Sequence, residues 1–147
     1  MVGAALLTAY RNAGGQIELD KALREMKNRG TSVPGGTCGF WGACGAGISC
    51  GMFVSIITGS TPLAQHEFGL SNQMAAAALN AIGKIGGPLC CKRDSYLAIV
   101  QAVDFVRTHL GVQMEKEHPI CRYSGQNAQC LGKKCPFSKA NARPVSP

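Results

Sequence analysis

Charge is missing from one long stretch of this chain. Between Thr31 and His66 there is no Asp, Glu, Lys or Arg. Over residues 31–112 the only acids are Glu67, Asp94 and Asp104, which leaves little for a carboxylate-held magnesium ion or a two-carboxylate glycosidase. No Ser-His-Asp arrangement is visible. Gly45-x-Gly47-x-x-x-Gly51 imitates a dinucleotide fingerprint, but a Pro34-Gly35-Gly36 turn precedes it where a strand is required. The Lys-Ser/Thr ending of a phosphate loop is absent as well. Runs of alternating apolar and polar residues are lacking, and no internal repeat appears, which argues against β and solenoid architectures. Met1–Tyr10 is apolar without a basic leader and soon meets Arg11, Glu18, Asp20 and Lys21, unlike a secretory signal.

What the chain does have is cysteine: eight in 147 residues, with 46% hydrophobic residues. That apolar content supports a packed core, which a small disulfide-stapled domain usually lacks. Without an export signal, such cysteines point to metal binding or redox work before structural disulfides, and to a cytoplasmic location. The net charge of +7 is uneven, with six basic and two acidic residues in 113–147. A basic tail can attract anions. Here it has no helix suited to a DNA groove, and Tyr123 and Phe137 are too few for a stacking platform, so no specific nucleic-acid partner is expected.

The uncharged stretch from Val33 to Thr58 carries Cys38, Cys44, Cys50 and the single Trp41, with Gly or Ala at 39, 42, 43, 46, 47 and 51. Its small residues suit close helix crossing, and a buried helix over 39–58 is expected. About twenty uncharged residues with Gly47-x-x-x-Gly51 also suit a membrane span. The many Gly, Ser, Thr and Cys and the absence of basic flanks favour a soluble helix, so no membrane is expected. On a continuous helix a six-residue step turns a side chain by about 240°. Cys38, Cys44 and Cys50 therefore cannot share one metal unless the chain bends. Cys38, at the helix start, is free to join Cys44, and Cys50 is expected to pack as a small hydrophobe.

Other helices are expected over 3–13, 17–28, Pro62 to about Gly69, 72–85 behind Ser71 as cap, and from Asp94 to Leu110. The last carries Leu97, Val100, Val103, Val106 and Leu110 as an apolar stripe. Beyond Gly111 periodicity disappears. Cys121-x8-Cys130-x4-Cys135-Pro136 lies in that irregular part, and thiolates at such spacings suit iron–sulfur clusters or zinc. Basic neighbours Lys92 and Arg93 would offset the negative charge of a bound cluster. The adjacent Cys90-Cys91 cannot form an unstrained disulfide with each other. They are candidates for one ligand each to two sites, or for one ligand and one reactive thiol. His66, His109 and His118 read as polar surface groups, with His118 best placed to be an exception.

Three motifs carry a resemblance. They are Val33-Pro34-Gly35-Gly36-x-Cys38-Gly39-Phe40-Trp41-Gly42-Ala43-Cys44, then Gly86-Gly87-Pro88-x-Cys90-Cys91-Lys92-Arg93-Asp94, then Cys121…Asn127…Cys130…Cys135-Pro136-Phe137. Together they resemble an uncharacterised cysteine-rich family, domain of unknown function five-seven-one-four, over roughly residues 4–137. The resemblance implies an anaerobic setting in bacteria and methanogenic archaea, and a methyltransferase as a possible partner beside a redox protein. It does not include Cys50 and supplies no reaction.

The expectation is thus an all-α bundle around a Gly-rich central helix, with residues 1–137 as one domain and 138–147 as a disordered tail. Cys38, Cys44, Cys90, Cys91, Cys121, Cys130 and Cys135 are the candidate metal ligands, Cys90 and Cys91 the candidate reactive thiols, and Lys92 and Arg93 the cofactor neighbours. The expected cofactor is an iron–sulfur cluster of the 4Fe-4S type, with zinc as the alternative. The expected function is redox or sulfur/methyl-transfer chemistry of anaerobic metabolism. A structural zinc module and a metal-free thiol–disulfide oxidoreductase are the alternatives.

Overall fold

In a computed structural model, residues 1–141 are described, and they form six α-helices and no strand. The helices are α1 Val2–Asn12, α2 Leu19–Thr31, α3 Thr37–Phe40, α4 Gly45–Thr58, α5 His66–Ile85 and α6 Cys91–Leu110. The all-α expectation holds. The hub is α4, which touches α1, α2, α5 and α6 and packs most extensively on α5. Its fully buried Cys50, Phe53 and Val54 meet Leu6 and Leu7 of α1, Met74 of α5 and Val106 of α6 in one core.

Small residues set the α4–α5 distance. A Cβ added at Gly51 would stand 2.9 Å from the Ala75 Cβ and 3.1 Å from the Ser71 carbonyl oxygen. One at Gly47 would stand 2.7 Å from Leu79 Cδ2. Gly51→Leu is therefore expected to push the helices apart and cost about 1–3 kcal/mol, the usual range for overpacking. Gly83, on α5 with nothing within 4 Å of an added Cβ, is the control. Gly83→Ala should stabilise by up to about 1 kcal/mol through helix propensity alone. Urea unfolding of both variants checks the pair, and equal effects would remove close crossing as the explanation.

Several boundaries differ from expectation for local reasons. The continuous helix over 39–58 is broken: Gly42 takes a left-handed φ of 64°, and the Ala43 N–H closes on the Thr37 carbonyl at 3.1 Å. Trp41 consequently lies outside the helix and is 69% exposed, so it does not share a buried face with Ile48 and Met52. No helix begins at Thr61-Pro62. A turn closed by the Ala64 N–H on Thr61 precedes one unbroken α5, in which Ser71 is internal and its hydroxyl donates back to the Glu67 carbonyl at 2.8 Å. Gly30 lies within α2 rather than ending it. On α6 the buried residues are Arg93, Asp94, Ala98, Ala102, Val103, Phe105 and Val106, so Val103 and Val106 of the expected stripe are buried while Ala98, Ala102 and Phe105 replace the rest of it.

After α6 the chain turns at Gly111 and runs back without secondary structure to Ile120. Met114 on this strap is buried in the core, and Lys116 pairs with Asp104 of α6. The strap delivers Cys121–Asn141 to the N-terminal end of α6. There Phe137 is buried edge-on against Tyr96, with ring centroids 5.3 Å apart. Ser138–Asn141 continue this packing, with the Asn141 amide donating to the carbonyls of Cys135 and Lys133. The rest of the expected tail, 142–147, lies outside the described residues.

No described helix is long and apolar enough to cross a membrane.

Candidate functional site

The N-terminus of α6 is where the cysteine motifs meet. Cys90 is its N-cap and Cys91 its first residue. Arg93, only 3% exposed, anchors the preceding turn: its Nη2 donates to the carbonyls of Gly86 (2.8 Å) and Pro88 (2.9 Å), and its Nε to Asp94 Oδ1 (3.3 Å). Its donors are thus spent on the backbone that positions Cys90. Lys92 instead reaches outward, its Nζ 3.8 Å from the centre of the Tyr123 ring. That cation–π contact ties α6 to the cysteine-bearing segment.

One cavity, of about 370 Å³, lies between the start of α6 and that segment. Cys90, Cys91, Cys121, Cys130 and Cys135 line it, with Lys92 and Arg93 and without any Asp or Glu. Three of these sulfurs accept hydrogen bonds. The Tyr123 N–H points at Cys121 Sγ (3.5 Å), the Gly132 N–H at Cys130 Sγ (3.4 Å), and the Asn127 amide at Cys90 Sγ (3.4 Å). Each backbone donor lies two residues after its cysteine, and tight turns produce the arrangement: Cys130 N–H on Asn127 O, Cys135 N–H on Gly132 O. The segment is pinned across its base by the Cys121 N–H on the Phe137 carbonyl at 2.7 Å and a bridge from Cys121 to Ser138.

A second cavity, of about 210 Å³, lies between the start of α6 and the α3–α4 bend. Cys38, Cys44, Cys91 and Asp94 line it, and no Lys, Arg or His does. Cys44 is the N-cap of α4. Burial pushes its thiol up, the Ala46 N–H pulls it back, and the nearby Asp94 and Cys38 push it up further. Burial likewise raises the Asp94 carboxyl, opposed by Arg93 and the Cys90 N–H. Cys91, exposed, belongs to both cavities.

Cys50 stands apart. It is wholly buried, its Sγ donates to the Ala98 carbonyl at 3.5 Å, and desolvation raises it to about 12. It should resist alkylation at neutral and mildly alkaline pH until the protein unfolds, because the thiolate is the reactive form. Cys50→Ala should cost about 1 kcal/mol from the small cavity left behind. Mass spectrometry after iodoacetamide labelling with and without urea tests the first point; labelling of Cys50 in the folded protein would refute its core placement.

The seven cysteines expected to serve as ligands therefore divide into two groups that share Cys91. Among the described residues no three Cys, His, Asp or Glu side chains already converge on a single ion position. His118 lies outside both cavities, tilted on Phe137 with Nε2 3.3 Å from the Pro136 carbonyl. His66 and His109 also line neither cavity. Asn127 and Asp94 line the cavities although neither stands among the expected site residues. Asn127 was within a cysteine motif, and its polar side chain in a turn was the available signal. The chain matches the model of DUF5714, a family of unknown function, over residues 1–138. The chain belongs to DUF5714. No curated protein and no solved structure matches it. The matched range takes in all three cysteine motifs, so in this DUF5714 chain the whole of both cavities lies inside the family domain.

Proposed function

We propose that the larger cavity is an iron–sulfur site, with Cys90, Cys121, Cys130 and Cys135 as its ligands, in a cytoplasmic protein of anaerobic redox or sulfur/methyl-transfer metabolism. The observation that carries this is the donor set: four thiols from two distant chain segments lining one cavity, with N–H donors aimed at three of them. The fit extends to size and charge. A volume of about 370 Å³ leaves room for a multi-atom cluster. Lys92 on the rim offsets part of the net negative charge that such a cluster and its thiolates carry, while Arg93, paired with Asp94, holds the turn beside it.

When bound, a cluster of this kind supplies one-electron chemistry. The chain's own contributions are separate. Tyr123, Gly132 and Asn127 hold N–H groups at the sulfurs, Phe137 and Tyr96 cover the base, and Arg93 fixes the turn ahead of Cys90. Cys91, exposed and beside Cys90, is the thiol open to an incoming redox protein or methyltransferase. Anaerobic purification followed by iron and acid-labile sulfide analysis tests the reading. A brown protein with both elements is expected, and a colourless one with stoichiometric zinc in this cavity would replace the cluster by a structural module.

A further inference from the structure

Cys38 and Cys44 lie outside the proposed cluster site, on one tight loop between α3 and α4. The Thr37 carbonyl accepts from both the Trp41 N–H (3.0 Å) and the Ala43 N–H (3.1 Å), and Gly42 turns the chain with a φ of 64°. Each cysteine comes directly after one end of the Thr37–Ala43 closure, so the loop sets the two side by side. Both line the cavity of about 210 Å³, and both are half-buried free thiols. We infer that Cys38 and Cys44 are a dithiol redox pair, independent of the cluster, that reduces an incoming disulfide and itself becomes a disulfide.

A disulfide requires its two Cβ atoms about 3.8 Å apart, so the backbone that carries them must be able to adjust. Added Cβ atoms at Gly39, Gly42 and Gly45 would meet nothing within 4 Å, which leaves this loop open space to move into. Cys91 lines the same cavity, but Arg93 holds the turn before it through the Gly86 and Pro88 carbonyls. The loop is therefore the part that gives, and Cys38 with Cys44 is the pair it closes. The pair is also reachable: Phe40 and Trp41, between the two cysteines, are 88% and 69% exposed. Strained or exposed disulfides are the labile ones that exchange with other thiols. Burial pushes the Cys44 thiol up, so Cys38 attacks first. Its thiolate breaks the incoming S–S bond, forms a mixed disulfide and expels one thiolate. Cys44 then attacks the Cys38 sulfur, forms the Cys38–Cys44 bond and expels the second. The pair gives up two electrons and two protons, and the two departing thiols carry them away.

The test treats full-length wild-type protein, purified anaerobically, with oxidised glutathione as the disulfide. Peptide mapping by mass spectrometry without reduction should then find a Cys38–Cys44 crosslink. Trp41, the single tryptophan, sits inside the closed loop and reports the same event. Its fluorescence should fall as the disulfide forms beside it and recover on adding dithiothreitol. Cys38 and Cys44 that remain thiols, or a crosslink that joins either of them to Cys91 instead, overturns the pair. A Cys44→Ser variant cannot resolve the mixed disulfide and should hold glutathione on Cys38, with its Trp41 signal no longer following the wild-type course. Absence of glutathione from Cys38 in that variant, with circular dichroism showing a folded chain, overturns the order of attack. Should the variant not fold, the wild-type map still decides the pair. Iron content of the same samples keeps the two readings apart. A crosslink in a protein without iron fails the cluster alone, and iron without a crosslink fails the pair alone.

Discussion

Replacing Cys121 or Cys130 by Ser should remove most of the bound iron and make residues 113–141 sensitive to protease, while the helices keep their circular dichroism. The two effects are linked through how that segment is held. Its buried apolar side chains after Met114 are Cys135 and Phe137, and its backbone closes mainly on itself through three-residue turns. Ordering each residue costs roughly 1–2 kcal/mol of backbone entropy, which two buried side chains and scattered turn bonds offset poorly over so long a stretch. Metal–thiolate bonds would then supply much of the ordering, as in small metal-dependent domains. The six helices have their own core around Phe53, Leu7 and Met74, so they should survive. Iron content, limited proteolysis and circular dichroism on the same samples test this. A tail that stays protected after its iron is lost would show that Phe137 and the turns suffice, and retention of iron by both variants would remove Cys121 and Cys130 from the ligand set.

Arg93→Met should destabilise the folded chain by about 3–5 kcal/mol, the cost of stranding one member of a buried ion pair. Arg93 and Asp94 side chains are 3% and 6% exposed and 3.3 Å apart, so water does not replace the lost partner. The Gly86 and Pro88 carbonyls lose donors in the same variant. Arg93→Met/Asp94→Leu removes both charges and should recover part of the loss, because the stranded carboxylate is gone while the two carbonyls remain unserved. Urea denaturation of the wild type, both single variants and the double variant measures the coupling. Additive single effects would mean that Arg93 acts only through the turn.

The helical architecture was legible in the sequence because its signals are local. Apolar spacing, Gly14-Gly15, Gly86-Gly87-Pro88 and Gly111 mark most helix ends. The separation of Cys50 from the other thiols followed from helical geometry alone, and its place between Phe53, Val54 and Ala98 agrees. Three features resisted. The break at Gly42 was hidden because several glycines nearby offered a similar break. The merging of two short helices into α5 was hidden because Ser71 bonds back to Glu67 instead of capping, at a point where its backbone packs closely on Gly51. The partition of the cysteines depends on the strap from Gly111 to Ile120, whose path is set by one buried side chain, Met114, and no periodic pattern announces it.

That strap also ties two lengths together. The 20 residues of α6 rise about 30 Å at 1.5 Å each, and ten extended residues at about 3.3 Å cover nearly the same distance in reverse. The C-terminal sulfurs are therefore brought opposite Cys90 by matched counting along helix and return chain. Lengthening α6 by one turn moves its ends apart by about 5.4 Å, which only one or two added strap residues would restore. Any insertion in α6 must accordingly arrive with a compensating one downstream.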